Sequence, residues 1–137
     1  MSDLPYIPDE PTIGKGDAFV FFGATGDLAY KKIFPSLQSL VLRRDLDIPV
    51  IGVANSNWTV EQLRQRARES ITKHAPGVSD DDFARLAKLL HYVDGDYKDP
   101  ATFEKLRKEL GDATLPIHYL AIPPSLFPTV IEGLGKS

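Results

Sequence analysis

Gly23-Ala24-Thr25-Gly26 is the stretch whose residue types and spacing best suit chemistry. Glycine lets a backbone come close to a phosphate, and Thr25 adds a hydroxyl. A helix starting just after the turn offers unpaired N–H groups at the positive end of its dipole. Asp27 and Leu28 follow, and Lys31 and Lys32 bring local positive charge. A turn of this kind can hold an anion, a pyrophosphate in particular. The spacing is G-x-x-G with Ala29 three places on, whereas the dinucleotide fingerprint is G-x-G-x-x-G/A. An ordinary tight strand-to-helix turn accounts for the same glycines, and spacing alone does not choose between the two. Asp27 reads as a cap for the helix start rather than as an acid–base group.

Other chemistry is sparse. His74 reads as a helix end, while His91 and His118 begin strands. None has a Ser, Cys or acid at a recognisable catalytic spacing, and no H-x-x-x-H pair exists. The sequence nominates no catalytic base and no metal site. Cysteine is absent, which removes disulfides, thiolate nucleophiles and thiolate metal ligands and is compatible with a reducing compartment. The 137 residues carry 16 basic and 19 acidic side chains, so the net charge is 16 − 19 = −3. That balance gives no general attraction to nucleic acid or to an anionic membrane, and any anion site must be local. With 42% hydrophobic and 26% charged residues, no membrane-spanning run and no secretory leader pattern, a soluble cytoplasmic protein is expected.

The elements that must position the glycine turn follow a simple alternation. Residues 1–16 are rich in Pro, Gly and acids and read as an extended arm, with Tyr6 and Ile7 able to dock on the body. Residues 17–137 read as one domain. Ala18 to Phe22 form an apolar run suited to a buried parallel strand. The next helix buries Ile33, Leu37, Leu40 and Val41, with Leu28 to Lys32 as a turn before Pro35 and Arg43 and Arg44 at its end. Asp47 to Pro49 make the return to a second strand, Pro49 to Ala54.

Thr59 with Gln62 predicts a capping box for a helix burying Val60, Leu63, Ala67 and Ile71. Arg64, Arg66, Arg68 and Lys73 read as its solvated face. Ser79 caps a further helix with Phe83, Leu86, Ala87 and Leu90 inward. A short strand near His91 to Val93 follows, then a helix from Asp99-Pro100 to Gly111. Ile117 to Ile122 form the fourth strand, Pro123-Pro124 ends it, and Ser125 begins a last helix with Leu126, Val130 and Leu134 on one side. The fold class is therefore α/β: a doubly wound parallel sheet of Rossmann type, three-layered αβα, with strand order 3-2-1-4. The crevice lies at the carboxyl ends of strands one and four.

Two positions bear on what the crevice would take. At the end of strand two, where an acid favours NAD and an arginine favours NADP, this chain has Asn55, with Ser56 and Asn57 after it. Nothing there repels a 2′-phosphate or pairs strongly with one, and Arg64 and Arg66 lie in the following helix. At strand four, Ile122-Pro123-Pro124 reads either as a rigid strand-to-helix turn or, through Pro124, as a wall for the cofactor to which Phe127 could add a flat surface, although a Phe taken singly is more often core.

Residues 21–35, Phe-Phe-Gly-Ala-Thr-Gly-Asp-Leu-Ala-Tyr-Lys-Lys-Ile-Phe-Pro, resemble the coenzyme-binding motif of the glucose-6-phosphate dehydrogenases. Tyr119-Leu120-Ala121-Ile122-Pro123-Pro124 resembles that family's Y-L-A-[LI]-P-P segment, and Gly52-Val53-Ala54-x-Ser56 its strand-two end. The resemblance covers residues 17–137 and implies NADP-linked oxidation of glucose 6-phosphate to the 6-phosphogluconolactone, the first step of the oxidative pentose phosphate pathway. It implies that Gly23, Ala24, Thr25, Gly26, Asp27 and Leu28 hold the pyrophosphate and that Lys32 borders cofactor and substrate. It also implies that Pro124 and Phe127 line the nicotinamide side.

Asn55 departs from the family's usual Arg or Lys, so NAD is an alternative to NADP, with Thr25 able to compensate in part. The family's R-I-D-H-Y-L-G-K and E-K-P segments, with the catalytic His, do not occur in these residues. The resemblance thus implies a coenzyme-binding domain, truncated before the catalytic domain, that binds cofactor without turnover. Glucose 6-phosphate would be met only in the full-length enzyme. A free-standing nucleotide-binding or regulatory module is the alternative. A short-chain reductase or epimerase fits less well, since the third glycine and a Y-x-x-x-K pair are both missing. With strand four at the sheet's edge, self-association through that edge is expected.

Overall fold

The computed structural model describes residues 17–43, 48–114 and 116–136. The expected arm 1–16, with Tyr6 and Ile7, lies outside the described residues, as do Arg44 and Asp47. Four strands form one parallel sheet: β1 (Ala18–Phe22), β2 (Val50–Ala54), β3 (Leu90–Asp94) and β4 (Pro116–Leu120). Their order is β3-β2-β1-β4, as the alternation predicts. Phe22 pairs with Val53 on one side and with Leu120 on the other, so three strands end level where the glycine turn begins.

Every residue of β1 and β2 is buried, as expected for central strands covered on both faces. Alternation sends Phe19 and Phe21 to one face and Val20 and Phe22 to the other. The first face packs on α1 (Phe34–Leu42), α2 (Val60–His74) and α3 (Asp80–Leu89). The second packs on α4 (Pro100–Leu110) and α5 (Phe127–Lys136). Burying one such phenylalanine is worth roughly 1.5–3 kcal/mol. Gly133 lets α5 sit on α4, since a Cβ there would stand 2.3 Å from the Phe103 ring.

Helix starts follow their capping residues. Thr59 and Gln62 make the reciprocal capping box, Ser79 accepts from the Asp82 N–H, and Asp99 accepts from the Ala101 N–H. Asp27 does not cap: it already lies within helical turn, and its carboxylate has no hydrogen bond among the described residues. Leu90 is not on α3; it is the first residue of β3, so helix and strand join without a loop. The last helix enters through a 3₁₀ turn, Pro124–Leu126, and α5 proper begins at Phe127 rather than Ser125.

The predicted turn before Pro35 is a π-helical segment, Ala29–Ile33, continuous with α1. Proline cannot donate, and its ring collides with the carbonyl four residues back, so the helix widens there. The Phe34 N–H bonds back to the Ala29 carbonyl, five residues away. That leaves the Tyr30 carbonyl without a helical donor, and the fully buried Ser70 of α2 donates to it.

Candidate functional site

Gly23 is where the two sequence motifs meet. It has φ +86°, and a Cβ there would lie 2.1 Å from the Ala121 carbonyl oxygen and 3.1 Å from Ile122. Only glycine satisfies both conditions. The Ala121 N–H donates to the Phe22 carbonyl at 2.9 Å, which draws the end of β4 against the turn. On the other side the Gly23 N–H is shared between the Val53 carbonyl at 2.8 Å and the Tyr97 hydroxyl at 2.9 Å. Burial pushes the Tyr97 hydroxyl up from its ordinary pKa, with the Gly23 bond acting in the opposite sense. The protonated hydroxyl donates to the Val53 carbonyl at 3.2 Å.

Ala24 is fully buried and rests on β2 at Gly52, where a Cβ would come within 2.8 Å of the Ala24 Cβ. Gly26 closes the turn, its N–H bonding the Gly23 carbonyl at 3.0 Å, and it is exposed. The N–H groups of Asp27 and Leu28 find no backbone acceptor among the described residues, as at any helix start. Lys31 and Lys32 are exposed on the π segment and form no ion pair among the described residues. An open glycine, free N–H groups and unpaired ammonium groups are the donor set a pyrophosphate needs.

Thr25 reaches across to the turn after β2, its Oγ1 lying 2.8 Å from the Ser56 Oγ. Asn55 is exposed there, and Asn57 adopts φ +57°. The turn is held from beneath by Asp94, at the end of β3. Its Oδ1 accepts from the Ser56 N–H at 3.1 Å, the Asn57 N–H at 2.8 Å and the Tyr92 hydroxyl at 2.5 Å. Burial acts to raise the Asp94 carboxyl, but the bonds from Tyr92, Ser56, Asn57 and Trp58 outweigh it and hold the group below its ordinary value. Burial first, and then Asp94, push the Tyr92 hydroxyl up.

Sequence reasoning missed Asp94, Tyr92 and Tyr97. Their only signal was a place at the end of the third strand, at the same sheet edge as the glycine turn.

The arginines of α2 are not merely solvated. Arg64 pairs with Glu61 and donates to the Ala87 carbonyl at 3.1 Å. Arg66 stacks 3.9 Å over the Tyr30 ring, and Arg68 pairs with Asp80 at 2.6 Å. At the β4 end, Pro124 is exposed and Phe127 half-buried, both just beyond Ile122. His91 meets Glu109 at 3.1 Å, a pairing that the spacing did not reveal. A groove of about 360 Å³ lies between α4 and α5, but none of the residues assigned to the cofactor lines it. Among the described residues no group of His, Cys, Asp and Glu is placed to hold a metal, and no helix is long and apolar enough to cross a membrane.

A parallel sheet in the order 3-2-1-4, with a glycine turn opening a helix at its carboxyl edge, defines a dinucleotide-binding domain of Rossmann type. The family "Glucose-6-phosphate dehydrogenase, NAD binding domain" matches residues 20–137, and the chain belongs to it. It is 41% identical over 123 residues to glucose-6-phosphate 1-dehydrogenase 1 of Mycobacterium tuberculosis, across 90% of this chain and 26% of that protein. Against the Caenorhabditis elegans glucose-6-phosphate 1-dehydrogenase it is 37% identical over 132 residues, across 87% and 24%. The chain thus spans about a quarter of the length of these curated relatives.

The crystal structure of the Mycobacterium avium glucose-6-phosphate 1-dehydrogenase superposes with a TM-score of 0.84 at 42% identity, covering 88% of this chain and 27% of that one. A glucose-6-phosphate dehydrogenase solved in complex with its substrate glucose 6-phosphate gives 0.79 at 29% identity, covering 87% and 27%.

Proposed function

We propose that these residues hold NADP, with NAD as an alternative, as the coenzyme-binding part of a glucose-6-phosphate 1-dehydrogenase. The convergence of the two motifs on Gly23 carries this reading: Ala121 and Ile122 of the second press on the first glycine of the other. Gly23, Ala24, Thr25 and Gly26, with the N–H groups of Asp27 and Leu28, would hold the pyrophosphate. Lys32 would add charge beside it and border the sugar phosphate. Asn55 would lie by the adenosine ribose, and Pro124 and Phe127 would wall the nicotinamide side. When bound, the nicotinamide ring supplies the hydride acceptor for oxidation at C1 of the sugar. No residue of this chain is assigned as the base that takes the C1 hydroxyl proton, so the 137 residues alone bind cofactor without turnover. A cytoplasmic location accords with the lack of cysteine.

Titration of NADP and NAD into the chain and into Asn55→Arg tests the reading. Both cofactors bind the unmodified chain with modest discrimination, and Asn55→Arg gains affinity for NADP alone. A large NADP preference in the unmodified chain would count against the role given to Asn55. NADPH formation from glucose 6-phosphate by these residues alone would overturn the separation of binding from turnover.

Beyond β4, at the edge of the sheet, no further strand pairs among the described residues. A free edge invites pairing with a second chain. Sedimentation should therefore show concentration-dependent association, and a strictly monomeric boundary would refute it.

A further inference from the structure

We propose that Asp94 governs the choice between the two nicotinamide dinucleotides, by occupying and charging the place where a 2′-phosphate would be received. The proposal rests on the cofactor reading above and adds a specificity residue to it.

In a sheet of this order the adenosine ribose lies against the turn after the second strand, and the groups there select between a 2′-hydroxyl and a 2′-phosphate. The side chain of Asn55 is neutral. The backbone beside it is a different matter. The N–H groups of Ser56 and Asn57 converge on one point, with Asn57 at φ +57°. Successive N–H groups turned in this way form an anion-binding concavity. In this chain the anion is already present, because Asp94 Oδ1 takes both N–H groups, at 3.1 and 2.8 Å.

The third donor to that oxygen, the Tyr92 hydroxyl at 2.5 Å, is neutral like the other two. The Lys105 ammonium meets Asp94 at its backbone carbonyl, at 3.2 Å. Arg64 and Arg66, the nearest arginines in sequence, are committed to Glu61 and to the Tyr30 ring. The hydroxyls of Thr25 and Ser56 are bonded to each other, 2.8 Å apart. A 2′-phosphate arriving at this turn therefore meets N–H donors already satisfied and a carboxylate beneath them. A 2′-hydroxyl carries no charge and meets no such repulsion. The acid that favours NAD usually stands at the end of strand two; here its equivalent is supplied from strand three.

The test is calorimetric titration of NADP and NAD into the 137-residue chain, Asp94→Asn and Asp94→Glu. Asn keeps an oxygen for the two N–H groups and removes the charge, while Glu keeps the charge. In Asp94→Asn the NADP-to-NAD affinity ratio should rise about tenfold, with NAD affinity changed less than about threefold. Asp94→Glu should keep the unmodified ratio. An unchanged ratio in Asp94→Asn, with both cofactors bound, overturns the inference alone. An equal loss of both cofactors in that variant makes Asp94 a structural support only and also overturns it. If the unmodified chain binds neither dinucleotide, the cofactor reading itself falls.

Discussion

From β1 towards β3, the carboxyl edge of the sheet is a run of linked polar groups. Thr25 bonds Ser56, Ser56 and Asn57 bond Asp94, Asp94 takes the Tyr92 hydroxyl, and Tyr97 joins Gly23 to Val53. From β1 towards β4 the same edge is held by close backbone approach, Ala121 against Gly23, and by apolar residues that lead on to Pro124 and Phe127. The first side is held in shape by hydrogen bonds among its own residues. The second side supplies shape rather than donors. That division is what the proposed function asks of the edge, a polar side for the adenosine half and a flat wall for the nicotinamide half.

Three substitutions test this contrast. Gly23 joins the two sides, so Gly23→Ala should have the largest effect. Left-handed strain and the collision with Ala121 together cost at least about 3 kcal/mol. Urea unfolding should register the loss, and cofactor binding should disappear with it. A variant with an unchanged urea midpoint would show that the junction is looser than described.

Thr25→Val severs the polar side at one link. It should cost about 1 kcal/mol in stability, the worth of one net hydrogen bond, and weaken both dinucleotides. Equal binding by the variant would remove Thr25 from the site. Pro124→Ala touches only the shaped side. Its cost should stay within about 0.4–1 kcal/mol, arising from greater freedom of the unfolded chain. A calorimetric melt showing a larger loss would mean that the wall also bears load.

Much of this was open to reading in one dimension. Val, Ile and Phe runs bounded by Gly and Pro marked β1 and β2, because buried parallel strands need continuous apolar residues. Thr59, Ser79 and Asp99 marked helix starts because their side chains act on N–H groups two or three residues away. The strand order expected was that of the Rossmann-type sheet to which the alternation pointed.

Other features had no local signature. Pro35 was awkward in a helical pattern, but the widened turn that relieves it depends on Ser70, 40 residues from Tyr30. The arginine face of α2 looked solvated because spacing cannot show that Tyr30, Ala87 and Asp80 stand opposite.

The sequence by itself determined the sheet, its order, the helix boundaries set by caps, and a glycine turn between the first strand and the helix after it. The strands, caps and turn depend on residues within a few positions of one another, and the order on the alternation of elements along the chain. Only the tertiary structure decided why Gly23 must be glycine, since the atom a Cβ would strike belongs to Ala121. It alone placed Tyr97 on Gly23, 74 residues apart, and Asp94 under Ser56 and Asn57, nearly 40 residues away. A parallel sheet brings the ends of successive strands together however long the crossover between them, and the candidate site is built from those meetings.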